Sequence, residues 1–204
     1  MSSRGPVTLR VHRIPFSTNV ERVAIAAGLK GVAIEWVDHD PRDRSAVRAL
    51  SGQDLVPVAE WPDGRVLHDS PVILRALEAL APGPPLWPSA QPGRATADVF
   101  SEWFNLVWKG PPNRIADAGE QPGDREWLAA SRDVFEGLLA DRPFLLGDAP
   151  GIADVLAYPF LRYGRGASGD DRDPFHAVLA AHLDPARHPR LRAWLERCDG
   201  LPRA

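Results

Sequence analysis

Residues 7–37 contain the pattern that most constrains the fold, because a strand, a helix and a second strand follow one another within about thirty residues. Residues 7–13 alternate between apolar and polar side chains, as a half-buried strand does. Apolar residues then recur at helical spacing from Val20 to Ala27, with Thr18 or Asn19 as the predicted cap, and a second strand is predicted over 32–37. Two strands joined in this way run parallel, with a right-handed crossover.

The segment after this unit predicts the rest of a small α/β domain. A short helix is expected over 41–50, followed by strands over 56–60 and 65–68 around the hairpin signal Asp63-Gly64. A helix is expected over 70–80, with Pro71 at its first position, where a missing N–H costs nothing. The order βαβ-α-ββα predicts a thioredoxin-like sheet.

The pattern changes after residue 80, where a stiff, proline-rich linker begins. No further strand pattern follows, and the polar loop over 164–173 is expected to be mobile. We predict helices over 94–108, 123–140, 152–163, 175–183 and 189–198. The predicted fold class is therefore α/β plus all-α: a thioredoxin-like domain over 1–82, a linker over 83–92 and an all-helical, substrate-binding domain over 93–204.

Composition and charge narrow the functional classes. The net charge of −3 gives no electrostatic argument for nucleic acid as a partner. No apolar run approaches the length of about 18 residues that a membrane span requires, and the N-terminus lacks the apolar stretch of a signal peptide. Cys198 is the one cysteine, which suits a reducing cytoplasm. The histidines show no metal-ligand spacing, so no metal is expected.

Ser17 is the first candidate for chemistry, since it stands where a strand gives way to a helix. A hydroxyl and backbone N–H groups at that place can donate to an anion, and the helix dipole adds to the effect. A thiol with a pKa near 8.5 is only about 3% ionised at pH 7, so a donor that favours the thiolate activates it. In the absence of other information, Ser17 is also typical of an ordinary helix N-cap.

The run from Glu21 to Gly31 resembles the Arg-Val-x-x-Ala-x-x-x-Lys-Gly helix of tau-, zeta- and omega-type glutathione transferases. This ungapped register puts Ser17 on the activating serine of the tau and zeta enzymes, where omega enzymes carry cysteine. Thr18 is the reserve hydroxyl. Pro15-Phe16 allows another register, which would put Ile14 on that position and imply a dead site.

Two further stretches carry the resemblance. Val56-Pro57 is similar to the family's Val-Pro before the third strand, where the proline is cis and the backbone of the preceding residue pairs with the cysteinyl part of glutathione. Asp69-Ser70 is similar to the acid-serine pair that holds the γ-glutamyl end. The alternative is that Asp69 and Ser70 simply cap the helix that begins with Pro71.

The position expected to bind the glycyl carboxylate departs from the family pattern. Relatives often carry a lysine just before Val-Pro, and Leu55 replaces it here. The resemblance leaves Arg44 and Gln53 as candidates, with His39 and Arg42 also within sequence reach. The thiol is therefore glutathione or another low-molecular-weight thiol.

The predicted helical domain has two features of interest. Gly151 stands where relatives have a capping Ser or Thr, and Asp154 still reaches back to a backbone N–H. Aromatic residues on the first long helix form either a wall of the substrate pocket, expected between the domains, or part of the core. The predicted pocket residues are Phe16, Phe100, Trp103, Phe104, Trp108 and Tyr163.

The resemblance implies a cytoplasmic, homodimeric glutathione-transferase-like enzyme with the N- and C-terminal domains of that family. Ser17 would stabilise a thiolate that attacks an apolar or aromatic electrophile, as in detoxification. Three alternatives stay open: a non-catalytic binding or interaction protein, a thiol-dependent isomerase, and a peroxidase on the same fold.

Overall fold

The structure is a computed structural model that describes residues 8–81, 83–167 and 169–204. Some of the sequence predictions concern residues outside these ranges, namely the N-terminal segment up to Val7 and Pro82. The chain forms two compact units, one comprising Met1–Pro85 with Leu201–Ala204 and the other Leu86–Gly200.

The first unit has the predicted thioredoxin-like order. Its four-stranded sheet runs β2-β1-β3-β4, with β1 parallel to β2 and antiparallel to β3, and β3 antiparallel to β4. His12 lies opposite both Val37 and Val58 in these ladders. The elements are β1 (Thr8–Arg13), α1 (Thr18–Lys30), β2 (Ala33–Asp38), α2 (Ser45–Ser51), β3 (Val58–Glu60), β4 (Val66–His68) and α3 (Ser70–Leu80).

Helix α1 is fixed at both ends by its own sequence. Its N-cap is Ser17, which lies one residue before the predicted caps. The helix ends at Gly31, whose φ of 64° is the left-handed conformation that glycine adopts without penalty. The buried Lys30 forms an ion pair with Glu78 of α3 and donates to the Ala81 carbonyl at 2.9 Å. These contacts hold α1 and α3 side by side.

Helix α2 begins later than predicted, at Ser45 and not at residue 41. The Asp40 and Asp43 side chains accept hydrogen bonds from the backbone N–H groups of Arg42 and Ser45, at 2.8 and 3.0 Å. Aspartate side chains that bind the backbone two residues ahead stabilise turns at the expense of helix.

The second unit is helical, as predicted, with two differences from the sequence analysis. The first long helix changes from α to π geometry over Trp103–Trp108. A helix over Gly110–Ala118, α5, was not predicted; its two prolines lie in the first helical turn, where proline is tolerated. The elements are α4 (Gly93–Glu102), α5 (Gly110–Ala118), α6 (Asp124–Leu138), α7 (Ile152–Leu161), a 3-10 turn (Arg162–Arg165), α8 (Pro174–His182) and α9 (Pro189–Asp199).

Asp154 organises the start of α7. It is buried and accepts hydrogen bonds from the N–H groups of Gly151 and Leu145, at 2.9 and 3.0 Å, and from Trp194 Nε1 at 2.7 Å. Gly151 contributes no side chain, so only the Asp154 half of a capping box is present, as predicted. In the described part of the chain, no helix combines the length and apolarity that crossing a membrane requires.

Candidate functional site

Ser17 is the N-cap of α1. Its Oγ accepts a hydrogen bond from the Val20 N–H at 3.3 Å, and the residue is half-buried. An accepting hydroxyl keeps its own proton available for donation. The reserve candidate Thr18 is buried, with 6% of its surface exposed, and Ile14 packs against the apolar cluster that contains Val20. The Ser17 side chain is therefore the more accessible of the two hydroxyls.

A buried arginine links the start of α1 to the start of α3. Arg22 Nη1 donates to Asn19 Oδ1 at 3.1 Å and to Ser70 Oγ at 3.3 Å. The Ser70 hydroxyl in turn donates to Asn19 Oδ1 at 3.3 Å. Burial lowers the pKa of the Arg22 guanidinium to about 9, so it remains cationic at neutral pH. The contacts place a positive charge behind two helix N-termini, each of which already favours anions.

Asn19 and Arg22 were given no functional role in the sequence analysis. The signal that was present is the position of Arg22, which puts a charged side chain among the apolar residues of α1. Its partner Ser70 is 48 residues away, and helical periodicity gives no information about such a pairing.

Asp69 and Ser70 lie side by side at the start of α3. Asp69 has a φ of 68°, an uncommon conformation for a residue with a side chain, and makes no side-chain hydrogen bond to cap the helix. The proposed capping role of Asp69 is therefore wrong, while its exposed carboxylate faces solvent. Costly backbone conformations of this kind concentrate at functional sites.

Val56 and Pro57 are joined by a cis peptide bond, the isomer that the resemblance implies. Val56 precedes the β3 ladder, which begins at Val58, and belongs to the same buried cluster as Val20 of α1. The turn before β3 and the first turn of α1 thus share one apolar cluster.

Arg44, Gln53 and Leu55 precede this turn in the sequence. Arg44 donates from Nε to the Pro41 carbonyl at 2.8 Å and from Nη1 to the Asp54 carbonyl at 3.1 Å. The Gln53 amide binds both the N–H and the C=O of Leu55, at 2.9 Å each. Gln53 therefore stabilises its own turn, and Leu55 is 66% exposed where relatives often carry a lysine.

The predicted pocket residues divide between the units. Phe16 of the first unit is 42% exposed. In the second unit, Phe104 and Trp108 are fully buried, stack at 4.5 Å between ring centroids and pack against Phe160. Their packing assigns both residues to the core and not to an open wall, which corrects that part of the prediction.

The other two aromatic residues of this helix differ in exposure. Phe100 is buried, while Trp103 is partly exposed. Trp103 contacts Phe100 and Phe135, with ring centroids 5.7 and 5.9 Å apart. Trp103 is thus the member of the aromatic face that reaches solvent.

Tyr163 has a structural partner in the polar loop. Its hydroxyl donates to Asp171 Oδ2 at 2.9 Å, its ring stacks on His176 with centroids 4.2 Å apart, and His176 Nδ1 lies 2.8 Å from the same carboxylate. Burial and the Asp171 hydrogen bond raise the Tyr163 pKa, so the phenol stays protonated. These contacts tie the loop to α8.

Within residues 8–81, 83–167 and 169–204, no group of three or more His, Cys, Asp or Glu side chains is arranged to hold a metal ion. The polar groups that the first unit does bring together surround the starts of α1 and α3. A thioredoxin-like unit with this arrangement, followed by a helical unit, defines the class of two-domain proteins of the thioredoxin fold.

Comparison with known proteins agrees with this class. The family description "Glutathione S-transferase, N-terminal domain" matches residues 11–85, and "Glutathione S-transferase, C-terminal domain" matches residues 128–197. Together the two matches span well over half of the chain, which belongs to the glutathione S-transferase family.

Relatives come from bacteria and plants. The chain is 29% identical over 192 residues to a maleylacetoacetate isomerase of Pseudomonas aeruginosa, covering 86% of this chain and 90% of that protein. It resembles the structure of the Anaeromyxobacter dehalogenans maleylacetoacetate isomerase with bound dicarboxyethyl glutathione and citrate, with a TM-score of 0.67, 27% identity and coverage of 97% and 93%. A rice glutathione S-transferase in complex with glutathione shares the fold, with a TM-score of 0.76, 24% identity and coverage of 97% and 88%.

Proposed function

We propose that this glutathione-transferase-family enzyme binds glutathione, or a low-molecular-weight thiol of the same type, and activates it for attack on a small electrophile. The observation that carries the proposal is the contact of Asn19 and Arg22 with Ser70, because it brings the starts of α1 and α3 together. A zwitterionic thiol peptide needs an anion site and a cation site in close proximity, and this place offers both.

Ser17 is assigned the role of donor to the thiolate sulfur. Lowering a thiol pKa by about two units requires about 2.7 kcal/mol of preference for the thiolate. One charge-assisted hydrogen bond supplies about 1.5–3 kcal/mol, and the N-terminus of α1 adds to it. The chemistry therefore needs no general base, and the thiol proton passes to solvent.

The remaining groups are assigned to the rest of the peptide. Ser70, the α3 N-terminus and the Arg22 charge would hold the α-carboxylate of the γ-glutamyl end, and Asp69 would pair with its ammonium group. The backbone of Val56, before cis-Pro57, would pair with the cysteinyl part. Arg44 and Gln53 are the candidates for the glycyl carboxylate, although both already bind backbone groups.

The same proposal covers the partners of the reaction. The electrophile is apolar or aromatic, with Phe16 and Trp103 as the accessible aromatic residues and Phe100 behind Trp103. We further propose a homodimer that works in the cytoplasm, where the buried Cys198 stays reduced.

Thiol-dependent cis–trans isomerisation is the second candidate reaction. It is favoured by the relatives in Pseudomonas aeruginosa and Anaeromyxobacter dehalogenans, both named maleylacetoacetate isomerases. The first step is the same as in conjugation, because the thiolate forms a bond to a carbon of the double bond. After rotation about the resulting single bond, the thiolate leaves and the double bond is restored, so the thiol is recovered.

The experiment that tests the role of Ser17 is a pH titration of the thiolate ultraviolet absorbance of bound glutathione. We expect the pKa of the bound thiol to lie about two units below its usual value of about 8.5, and to return most of the way in Ser17→Ala. The matched control is Thr18→Val, whose hydroxyl is buried and whose removal should leave the pKa of the bound thiol low. A bound thiol with an unshifted pKa would favour a non-catalytic protein. If Thr18→Val raised the pKa of the bound thiol more than Ser17→Ala does, the thiolate donor would be Thr18.

A further inference from the structure

Three ionisable side chains form a hydrogen-bonded row across β1, β3 and the end of β2. His12 Nε2 lies 2.9 Å from Glu60 Oε1, and His12 Nδ1 lies 2.8 Å from His39 Nε2. The two imidazole rings are nearly parallel, with an interplanar angle of 22° and centroids 5.0 Å apart, and His12 is buried. We call Glu60, His12 and His39 the histidine row.

Charged groups of β1, β2 and residues 38–44 surround the histidine row. Arg10 of β1 contacts Glu60 at 3.3 Å and Glu35 of β2 at 3.4 Å. The charges that act on His39 are those of His12, Asp38, Asp43 and Arg44. Hydrogen bonding to His12 lowers the pKa of Glu60, so its carboxylate is ionised at neutral pH.

The geometry limits how many protons the row can hold. A carboxylate only accepts, so the His12 nitrogen that faces Glu60 carries a proton. The two nitrogens that face each other between His12 and His39 have room for one proton, whichever ring supplies it. One ring can be cationic without breaking this hydrogen bond, but two cationic rings would place N–H against N–H.

The row is connected to the segment that carries a proposed ligand-binding residue. The His39 N–H donates to the Arg13 carbonyl at 2.9 Å, and Arg13 pairs with Asp38 at 2.8 Å. Residues 40–44 follow directly and end at Arg44, which reaches the Asp54 carbonyl before the Val56-Pro57 turn. β1 itself leads into the loop that ends at Ser17.

We propose that the histidine row is a positioning network whose protonation controls thiol binding: while at most one imidazole is cationic it holds residues 38–44 against β1, and double protonation releases them. This inference rests on the proposed function and adds its regulation by pH. His12, His39 and Glu60 act through the position of residues 38–44 and of Arg44.

The direction of the pH effect follows from His39. Burial, followed by the charge of His12, lowers the His39 pKa below its ordinary value of 6.5. A histidine with a lowered pKa in the folded state contributes stability that is complete above pH 6.5 and is lost as the pH falls through the folded-state pKa. The affinity for a ligand without an ionisable thiol is therefore expected to be constant above pH 7 and to fall in mildly acidic solution.

The first test needs no ligand. NMR titration of the imidazole nitrogens in the full-length protein should show that the two rings become cationic in separate steps, with His39 titrating below its ordinary pKa of 6.5. Independent titration of both rings near pH 6.5 would overturn the proposal.

The second test measures the affinity for S-methylglutathione at pH 7.5 and 5.5 by calorimetry, since this probe has no thiol proton of its own. Wild-type affinity should fall by up to about tenfold per pH unit below the second titration. His12→Gln should reduce the ratio of the two affinities towards one, because Gln accepts from His39 without titrating. The matched control is His182→Gln on α8, which should keep the wild-type ratio.

Glu60→Gln tests whether the histidine row acts through its protonation or only through its packing. It keeps the hydrogen bonds but removes the negative charge that stabilises a doubly protonated row, so the loss of affinity should move to lower pH. The proposal would be overturned if Glu60→Gln weakened probe binding equally at both pH values, or if His12→Gln kept the wild-type ratio of affinities. If His12→Gln does not fold, the result for Glu60→Gln decides. Failure of the wild-type protein to bind the probe at pH 7.5 would instead contradict the proposed function. The NMR titration, which needs no ligand, would then decide whether the histidine row titrates as proposed.

Discussion

At the scale of single residues, the buried cation of Arg22 sets the start of α1 apart from an ordinary helix N-terminus. Removing a guanidinium from water costs several kcal/mol. A neutral side chain would allow α1 to pack at lower cost. A cation held against Asn19 and Ser70 is instead suited to stabilise an anion that docks at the two helix starts.

Leu55 provides a residue-scale prediction in the direction of gained affinity. Its side chain is 66% exposed, so Leu55→Lys should fold normally and place an ammonium group where many relatives carry one. An exposed charge pair is worth about 0.2–1 kcal/mol, so we expect glutathione to bind up to about fivefold more tightly, by calorimetry at low salt. Leu55→Met is the uncharged control. Equal affinities of the two variants would show that the glycyl carboxylate lies elsewhere.

At the scale of elements, α1 is held from behind by the last residues of the chain. The Ala204 N–H donates to the Ala24 carbonyl at 3.1 Å, Trp36 Nε1 donates to the Ala204 carbonyl at 3.0 Å, and Arg203 pairs with Glu21 at 2.7 Å. Gly28 makes this approach possible, because a Cβ at that position would lie 2.4 Å from the Pro202 carbonyl oxygen. Helix α1, which is capped by Ser17, is thus packed against residues 202–204.

Gly28→Ala should therefore destabilise the protein. The added methyl group meets backbone atoms, which cannot rotate away, and overpacking of this kind costs about 1–3 kcal/mol in the free energy of unfolding. Gly137→Ala on α6 is the matched control, since a Cβ there meets nothing within 4 Å and alanine is favoured in a helix by about 0.5–1 kcal/mol. Urea unfolding measures both. Equal shifts in the two variants would mean that residues 202–204 do not hold α1.

The elements also show which parts of the fold the sequence could predict. Periodicity and turn residues act locally, and they located β1, the Asp63-Gly64 hairpin and the start of α3. Local signals failed where a second local interaction competed, as with the aspartate turns before Ser45. They also did not identify α5, whose first turn contains two prolines. The change to π geometry after Glu102 was not predicted, because the apolar spacing of this segment was interpreted as that of an α-helix.

At the scale of the whole molecule, the candidate site depends on pairings between distant parts of the chain. Arg22 and Ser70 are 48 residues apart, as are His12 and Glu60, and no local pattern specifies which partner each will meet. The resemblance to glutathione transferases supplied Ser17, Pro57 and Ser70 as candidates, because a family pattern carries information about tertiary structure. Arg22 is the arginine of the family's helix pattern, but its contact with Ser70 required the structure. The contacts of Asn19 and of the histidine row also required the structure.

The most direct test of the account is calorimetric titration of the protein with glutathione at pH 7, repeated on Asp69→Ala and on the control Asp141→Ala, an exposed aspartate of the second unit. We expect the wild-type protein and Asp141→Ala to bind with micromolar to low-millimolar dissociation constants. Asp69→Ala should abolish binding, because the ammonium group of the peptide loses its partner. Absence of binding to the wild-type protein, or equal binding by Asp69→Ala, would contradict a glutathione site at the starts of α1 and α3.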